Sequence, residues 1–246
     1  MFQKLCVGVG AVFQKSMPDG PGAREWTRMC GRIGSSIPRA ELLETYHWLR
    51  DAPDELPRYN IAPTDPVLAV GPDRAEVVRW GIEGARGGLF NLRAEAALSK
   101  PYYQRLLLTQ RVLVPASHFY EWRKVGAHRL PIALSRADGG FLHLAGVLAR
   151  WEGQPATTIL TTTPNSDIAD LHNRMPVVLN DDDAATWVLE ELSLEQMMDF
   201  LRPSPDGWLR LAPASLRIND VRNQGPELLD PEALPANFQL ELMPPA

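Results

Sequence analysis

A chain of 246 residues with 45% hydrophobic content can bury a sizeable core, and one large domain is expected. Its net charge of −5, from 25 Lys and Arg against 30 Asp and Glu, argues against a general nucleic-acid coat but leaves room for a local basic groove. No apolar run approaches the roughly 20 residues needed to span a bilayer, and the two cysteines, Cys6 and Cys30, make neither a disulfide framework nor a zinc-spaced cluster. A protein of the reduced cytoplasm is therefore expected, with no membrane span, no metal and no cofactor.

Residues 1–28 stand apart. Lys4 followed by Leu5 to Phe13 faintly resembles a signal peptide, but the run is short, glycine-rich and lacks a small-x-small cleavage site. Met17 to Gly22 reads as coil. Three readings stay open: Met29 as the true initiator, which the sequence favours; a removable pro-peptide; or a retained tail. The folded domain is expected over residues 29–229, with a Pro-rich tail over 230–246.

Ser36 ahead of Pro38 predicts a capped helix carrying Leu42, Leu43, Tyr46 and Leu49. Strands are predicted at Val67–Val70 and Glu76–Trp80, then a helix over Ala96–Leu108 with Pro101 as an alternative start. Further strands follow at Arg111–Val114, Phe119–Trp122, Pro131–Leu134, Leu142–Leu148, Thr157–Thr162 and Val177–Leu179. They are short, β-branched or aromatic, and bounded by Pro, Gly or Asp. Asp181, Asp182, Asp183, Glu190 and Glu191 make the last third acidic, and Ser193 with Gln196 forms a capping-box pattern ahead of Met197, Met198 and Leu201. Strands crowd the middle and helices the ends. That pattern predicts a single α+β domain built on a curled, mainly antiparallel sheet.

Four segments could carry chemistry. Met29-Cys30-Gly31-Arg32 would expose an α-amine and a thiol on adjacent carbons if Met29 were removed. An aldehyde condenses with that amine, whose pKa near 8 leaves a useful neutral fraction, and the thiol can close onto the imine carbon as a five-membered thiazolidine. An internal cysteine cannot do this, and the bland reading of Cys30 is a small buried hydrophobe. His118-Phe119-Tyr120-Glu121-Trp122 surrounds a carboxyl with aromatics, which suits an acid/base group, unless Glu121 faces outward on a strand edge. Asp170 to Pro176 places His172 and Arg174 ahead of a strand, either as a proton shuttle with a phosphate ligand or as a capped turn. Asn91-Leu92-Arg93-Ala94-Glu95 offers an amide and a cation.

These segments, with Arg-Tyr-Asn-x-Ala-Pro at 58–63, Trp80-Gly81 and Val-x-Asn-Gln-Gly at 221–225, occur in an order that resembles the SRAP family of abasic-site processing proteins. The resemblance runs from Met29 to about Leu229. It implies a half-barrel α+β fold and capture of abasic sites in single-stranded DNA as a covalent thiazolidine crosslink. In that scheme Cys30 is the nucleophile, Asn91 positions its amine, Glu121 is the general acid/base, and His172 assists proton transfer and reversal. Arg93 and Arg174 would meet phosphates, and Arg32, Arg58, Asn60 and Trp80 are further DNA-contact candidates. The family also implies weak AP-lyase activity and peptidase self-processing, in a monomer. The segment Gly81–Phe90 is short and lacks the family's Pro-x-Trp, and Leu92 and Ala96 replace its usual Ala and Thr. Two other classes compete: an N-terminal-nucleophile cysteine protease or amidohydrolase using the same residues, and a non-catalytic single-stranded DNA-binding module, which would keep its affinity in Cys30→Ala.

Overall fold

The computed structural model describes residues 31–84, 87–125 and 128–230. Cys6, Cys30, the 1–28 segment and most of the tail lie outside the described residues.

The chain opens with β1 (Ile33–Ser35), α1 (Arg39–Thr45), β2 (Arg58–Ile61), β3 (Pro66–Val70) and β4 (Ala75–Trp80). A small hairpin, β5 (Ile82–Gly84) and β6 (Gly87–Leu89), precedes β7 (Asn91–Arg93), α2 (Ala94–Ser99) and α3 (Pro101–Thr109). Longer strands follow: β8 (Arg111–Ala116), β9 (His118–Val125), β10 (His128–Arg136), β11 (Leu142–Trp151) and β12 (Gln154–Thr162). The chain then forms β13 (Met175–Pro176), β14 (Val178–Leu179), α4 (Asp181–Leu189), α5 (Leu194–Phe200) and β15 (Leu209–Pro213).

The predicted strands all form, most of them longer than expected. The helices need correction. Ser36 does not cap α1: its hydroxyl lies 3.1 Å from that of Ser117, and Pro38 takes the cap position without a side-chain bond. Ala96–Leu108 is two helices, because Pro101 pushes Lys100 into extended backbone and then starts α3 itself. The Ser193/Gln196 capping box forms as predicted. The acidic run at 181–183 is the first turn of a helix, α4, whose N-terminal amides and dipole favour carboxylates.

Two sheets organise the domain. One runs β15-β10-β9-β1-β2, all antiparallel. In the other, β12 pairs with β4, β4 with β3, β3 with β8, β8 with β11, and β11 again with β12. The predicted curl therefore goes as far as a ring of five strands. Two pairings are parallel, since β12 holds β4 and then β7 along one edge.

Alternation along the strands separates two cores. One face of the ringed sheet carries Leu68, Val70, Leu113, Ala156 and Leu160 against the helices, through Leu42, Leu107, Trp187 and Met197. The other face carries Val67, Val78, Trp80, Val114 and Ile159 against Ile33, Phe119, Ile132 and Leu134 of the first sheet. At Gly34 the two chain levels touch: a Cβ there would lie 2.1 Å from the His118 ring, so only glycine allows β1 this close to β9.

Candidate active site

Glu121 is 2% exposed. It follows Phe119 by two residues and pairs with Ile132, both members of the core shared by the two sheets, so its carboxyl faces that shared side. The outward-facing alternative is thereby excluded. β9 also holds β1. The Tyr120 amide donates to the Arg32 carbonyl at 2.9 Å, one step beyond the Ile33–Phe119 pair. The chain therefore enters the fold at Gly31 alongside the Glu121 end of β9.

Asn91 approaches from the other sheet. Its register partner on β12 is Ile159, of the shared core, whereas Leu92 and its partner Leu160 belong to the helix-side core. Asn91 is thus aimed toward the same shared side as Glu121, and is half-buried. Trp80 secures that strand: its indole N–H donates to the Phe90 carbonyl at 2.9 Å, and the Ile159 amide donates to the same oxygen at 3.1 Å.

His172 lies half-buried on the loop between β12 and β13. Its Nδ1 is 3.1 Å from the Arg174 amide and 3.2 Å from the Arg174 carbonyl. Burial lowers the pKa of His172, so the ring is neutral at pH 7. Arg174 anchors this loop. Its guanidinium grips both oxygens of Glu95, at 2.8 and 2.9 Å, and also donates to the Thr161 carbonyl at 2.5 Å. This bidentate pair holds the Glu95 carboxyl below the usual range. The clamp ties the start of α2 to the His172 loop.

The expected DNA contacts divide sharply. Trp80 and Asn60 are wholly buried, so the expectation that either contacts DNA is corrected: both are core residues. Asn60 instead holds the 218–223 loop, through the carbonyls of Ile218, Asp220 and Asn223 at 2.9–3.3 Å. Arg32 lies on the opposite face of β1 from Ile33, bonded to Asn60 and to the Ile218 carbonyl, 5.9 Å over the Trp122 ring. Arg58 bonds Asp65 and the Pro66 carbonyl. Arg174 is 92% buried and committed to Glu95, so it is a brace here rather than a free phosphate ligand. Arg93 alone of the group is exposed, at the end of β7. The sequence reading missed His118, a 3% exposed ring bonded to Ser117 and Tyr120, and Glu95 as a partner for Arg174. A histidine flanked by aromatics was a signal for the first; nothing local signals the second.

Among the described residues no group of three or more His, Cys, Asp or Glu could hold a metal ion, and no helix is long and apolar enough to cross a membrane.

The chain is thus an α+β single-domain protein whose buried Glu121 carboxyl and half-buried Asn91 both face the side shared by its two sheets. It belongs to the SRAP family: the model of the SOS response associated peptidases matches residues 29–221. Among its relatives, an abasic site processing protein of Bacillus subtilis, YoqW, is 28% identical over 82% of this chain and 99% of its own length. The Escherichia coli abasic site processing protein YedK is 28% identical over 82% of this chain and 100% of its own. The chicken abasic site processing protein HMCES is also 28% identical, over 82% of this chain and 78% of its own. A solved structure from Bacteroides thetaiotaomicron shares the fold, with a TM-score of 0.71 at 20% identity over 82% of this chain and 99% of that one.

Proposed function

We propose that this protein captures abasic sites in single-stranded DNA through Cys30, acting as the mature N-terminal residue. The observation that carries the reading is Glu121: a carboxyl 2% exposed on the strand that bonds the segment leaving Cys30. The relatives' names supply the substrate class.

The ring-opened deoxyribose offers an aldehyde. The Cys30 α-amine adds to it and water leaves, giving an imine; the thiol then adds across the C=N bond, its proton passing to nitrogen, and the thiazolidine closes. No oxidant or reductant is needed. Glu121 would give and take the protons of ring opening and imine formation. Asn91 would orient the amine, and His172, a neutral ring, would assist proton transfer and reversal. A single strand presents the sugar without the cost of opening a duplex. Arg93 would meet a neighbouring phosphate. The imine stage also accounts for a weak lyase side reaction. The family's peptidase description fits a self-processing step that would expose the Cys30 amine by removing residues 1–29, using the same groups.

The test uses protein begun at Met29, its Cys30 terminus verified by intact mass, and a single-stranded oligonucleotide with one abasic site. A denaturing gel should show a shifted band, lost in Cys30→Ala and absent with an intact oligonucleotide. No shifted band from a verified Cys30 terminus overturns the proposal. The full 246-residue chain should give the band only after losing its first residues.

A further inference from the structure

The acidic chain hides a basic element. From Arg111 to Arg136 there are five Lys or Arg residues and a single acid, Glu121. Arg111 and Arg136 are engaged: Arg111 on the carbonyls of Leu107, Trp187 and Glu190, Arg136 on Asp138 and Asp181. The remaining three, Arg123, Lys124 and Arg129, sit at the far end of the β9–β10 hairpin, just beyond Glu121. Arg123 is half-buried, and Lys124 and Arg129 are exposed.

Their placement is costly without an anion. Arg129 and Lys124 are direct cross-strand partners, and like charges in that position repel. Several cations elsewhere are matched, Arg39 to Asp51, Arg58 to Asp65, Arg74 to Glu76, Arg174 to Glu95, Arg217 to Glu227 and Arg222 to Asp220, and exposed ones that are not, such as Arg50, Arg105 and Arg202, stand singly rather than opposite another cation on a paired strand. None of the three hairpin cations forms an ion pair with a described acid. Arg123 shares the Glu121 face of β9 and lies about 7 Å further along the strand. Lys124 and Arg129 project from the other face, so a strand of DNA leaving the Glu121 site along β9 would meet Arg123 first and reach the Lys124–Arg129 pair by passing around the hairpin end.

We infer that this hairpin end is a phosphate-binding arm for the DNA strand flanking the captured lesion. It replaces the buried or engaged residues Trp80, Asn60, Arg58 and Arg174 as the main backbone contact, with Arg93 as a further exposed cation. The inference rests on the single-stranded DNA reading of the site. The arm acts on binding and not on the covalent step.

The experiment measures binding of an intact single-stranded oligonucleotide by fluorescence anisotropy across a salt series. It compares the wild type with the triple variant Arg123→Gln, Lys124→Gln, Arg129→Gln. A control variant, Arg50→Gln, Arg105→Gln, Arg202→Gln, removes the same charge from exposed positions near or on the helices. Loss of three phosphate contacts should flatten the log–log salt slope by about 2, at roughly 0.7 per contact for a single strand. The control should keep the wild-type slope. Capture of an abasic oligonucleotide at saturating DNA should proceed at the wild-type rate in both variants. An unchanged slope in the hairpin variant, or an equal flattening in the control, overturns the arm even if capture is normal. If the wild type binds single strands with the arm-dependent slope but captures nothing, the covalent reading falls and the arm stands. Equal melting temperatures would confirm that the Gln side chains, at exposed or half-exposed positions, leave the fold intact.

Discussion

His118 is expected to make the junction between β1 and β9 acid-labile. Its ring is 3% exposed, packed under Gly34 and bonded on both nitrogens. Tyr120 gives its hydroxyl proton to the Tyr59 carbonyl at 2.9 Å, so it must accept from His118 Nε2, also at 2.9 Å. Nδ1 then accepts from the Ser117 hydroxyl at 2.9 Å. The neutral ring satisfies every partner, and burial pushes its pKa down to about 4. An unfolded histidine titrates near 6.5. Between those values the unfolded chain binds the extra proton, so stability is fully present above pH 6.5 and is lost as the pH falls toward 4. The full loss is about 3 kcal/mol, of which about 2 is gone by pH 5.

The assay is urea unfolding, followed by tryptophan fluorescence, of the protein begun at Met29 and of its His118→Gln variant between pH 7.5 and 5. Burial also lowers the pKa of His143, and Asp181 and Glu95 are held low by arginines, so the wild type alone will show a composite acid response. Those contributions cancel in the difference between the two proteins. The stability gap should be constant above pH 7 and shrink by about 2 kcal/mol at pH 5. A gap that does not change with pH would refute the buried neutral ring, and a gap that widens would mean the ring is charged in the fold.

Trp80→Phe keeps the ring in the core but leaves the Phe90 carbonyl one donor short; it should cost about 1–2 kcal/mol by urea unfolding and slow abasic-site capture, because Asn91 is the next residue. Glu95→Gln breaks the bidentate clamp on Arg174. Because Glu95 is largely exposed, stability should fall by under about 1 kcal/mol, while the single-turnover capture rate falls about 3- to 10-fold, in the range that small misplacements cost. Restoring Glu95→Asp should recover little of that rate, since the shorter side chain cannot reach both guanidinium nitrogens. Arg111 ties the carbonyl ends of α3 and α4 to β8, far from the site. Arg111→Met should therefore lower stability by about 2–3 kcal/mol with capture unchanged.

The sequence marks the strands and the family motifs better than it shows which motif residues stay exposed. Long strands such as β11 and β12 are legible because ten or so β-branched and apolar residues repeat the signal. β1, β2 and β15 are not, since three to five residues interrupted by Gly34 or Asn60 carry too few alternations. α4 was readable in principle: Asn180 caps it and three acids fill its first turn, the standard helix-start chemistry, yet a run of aspartates reads first as a solvated charge cluster. Trp80 and Asn60 illustrate a deeper difficulty. Both lie in motifs that mark the family, and a tryptophan or an amide beside a DNA site invites a contact role. The alternation of Val78 and Trp80 already places them on one face of β4, and that face turns out to be the shared core. Their roles are to hold other segments: Trp80 fixes the strand that carries Asn91, and Asn60 fixes the 218–223 loop. The same holds for Arg174, whose partner Glu95 is 79 residues away, a pairing that no local pattern announces. In this fold, then, the motif arginines and aromatics closest to the chemistry are consumed in positioning it. Of the motif cations only Arg93 stays exposed, so further contact with a long polyanion would come from cations outside the motifs, and the trio at the end of the β9–β10 hairpin is the group proposed for it.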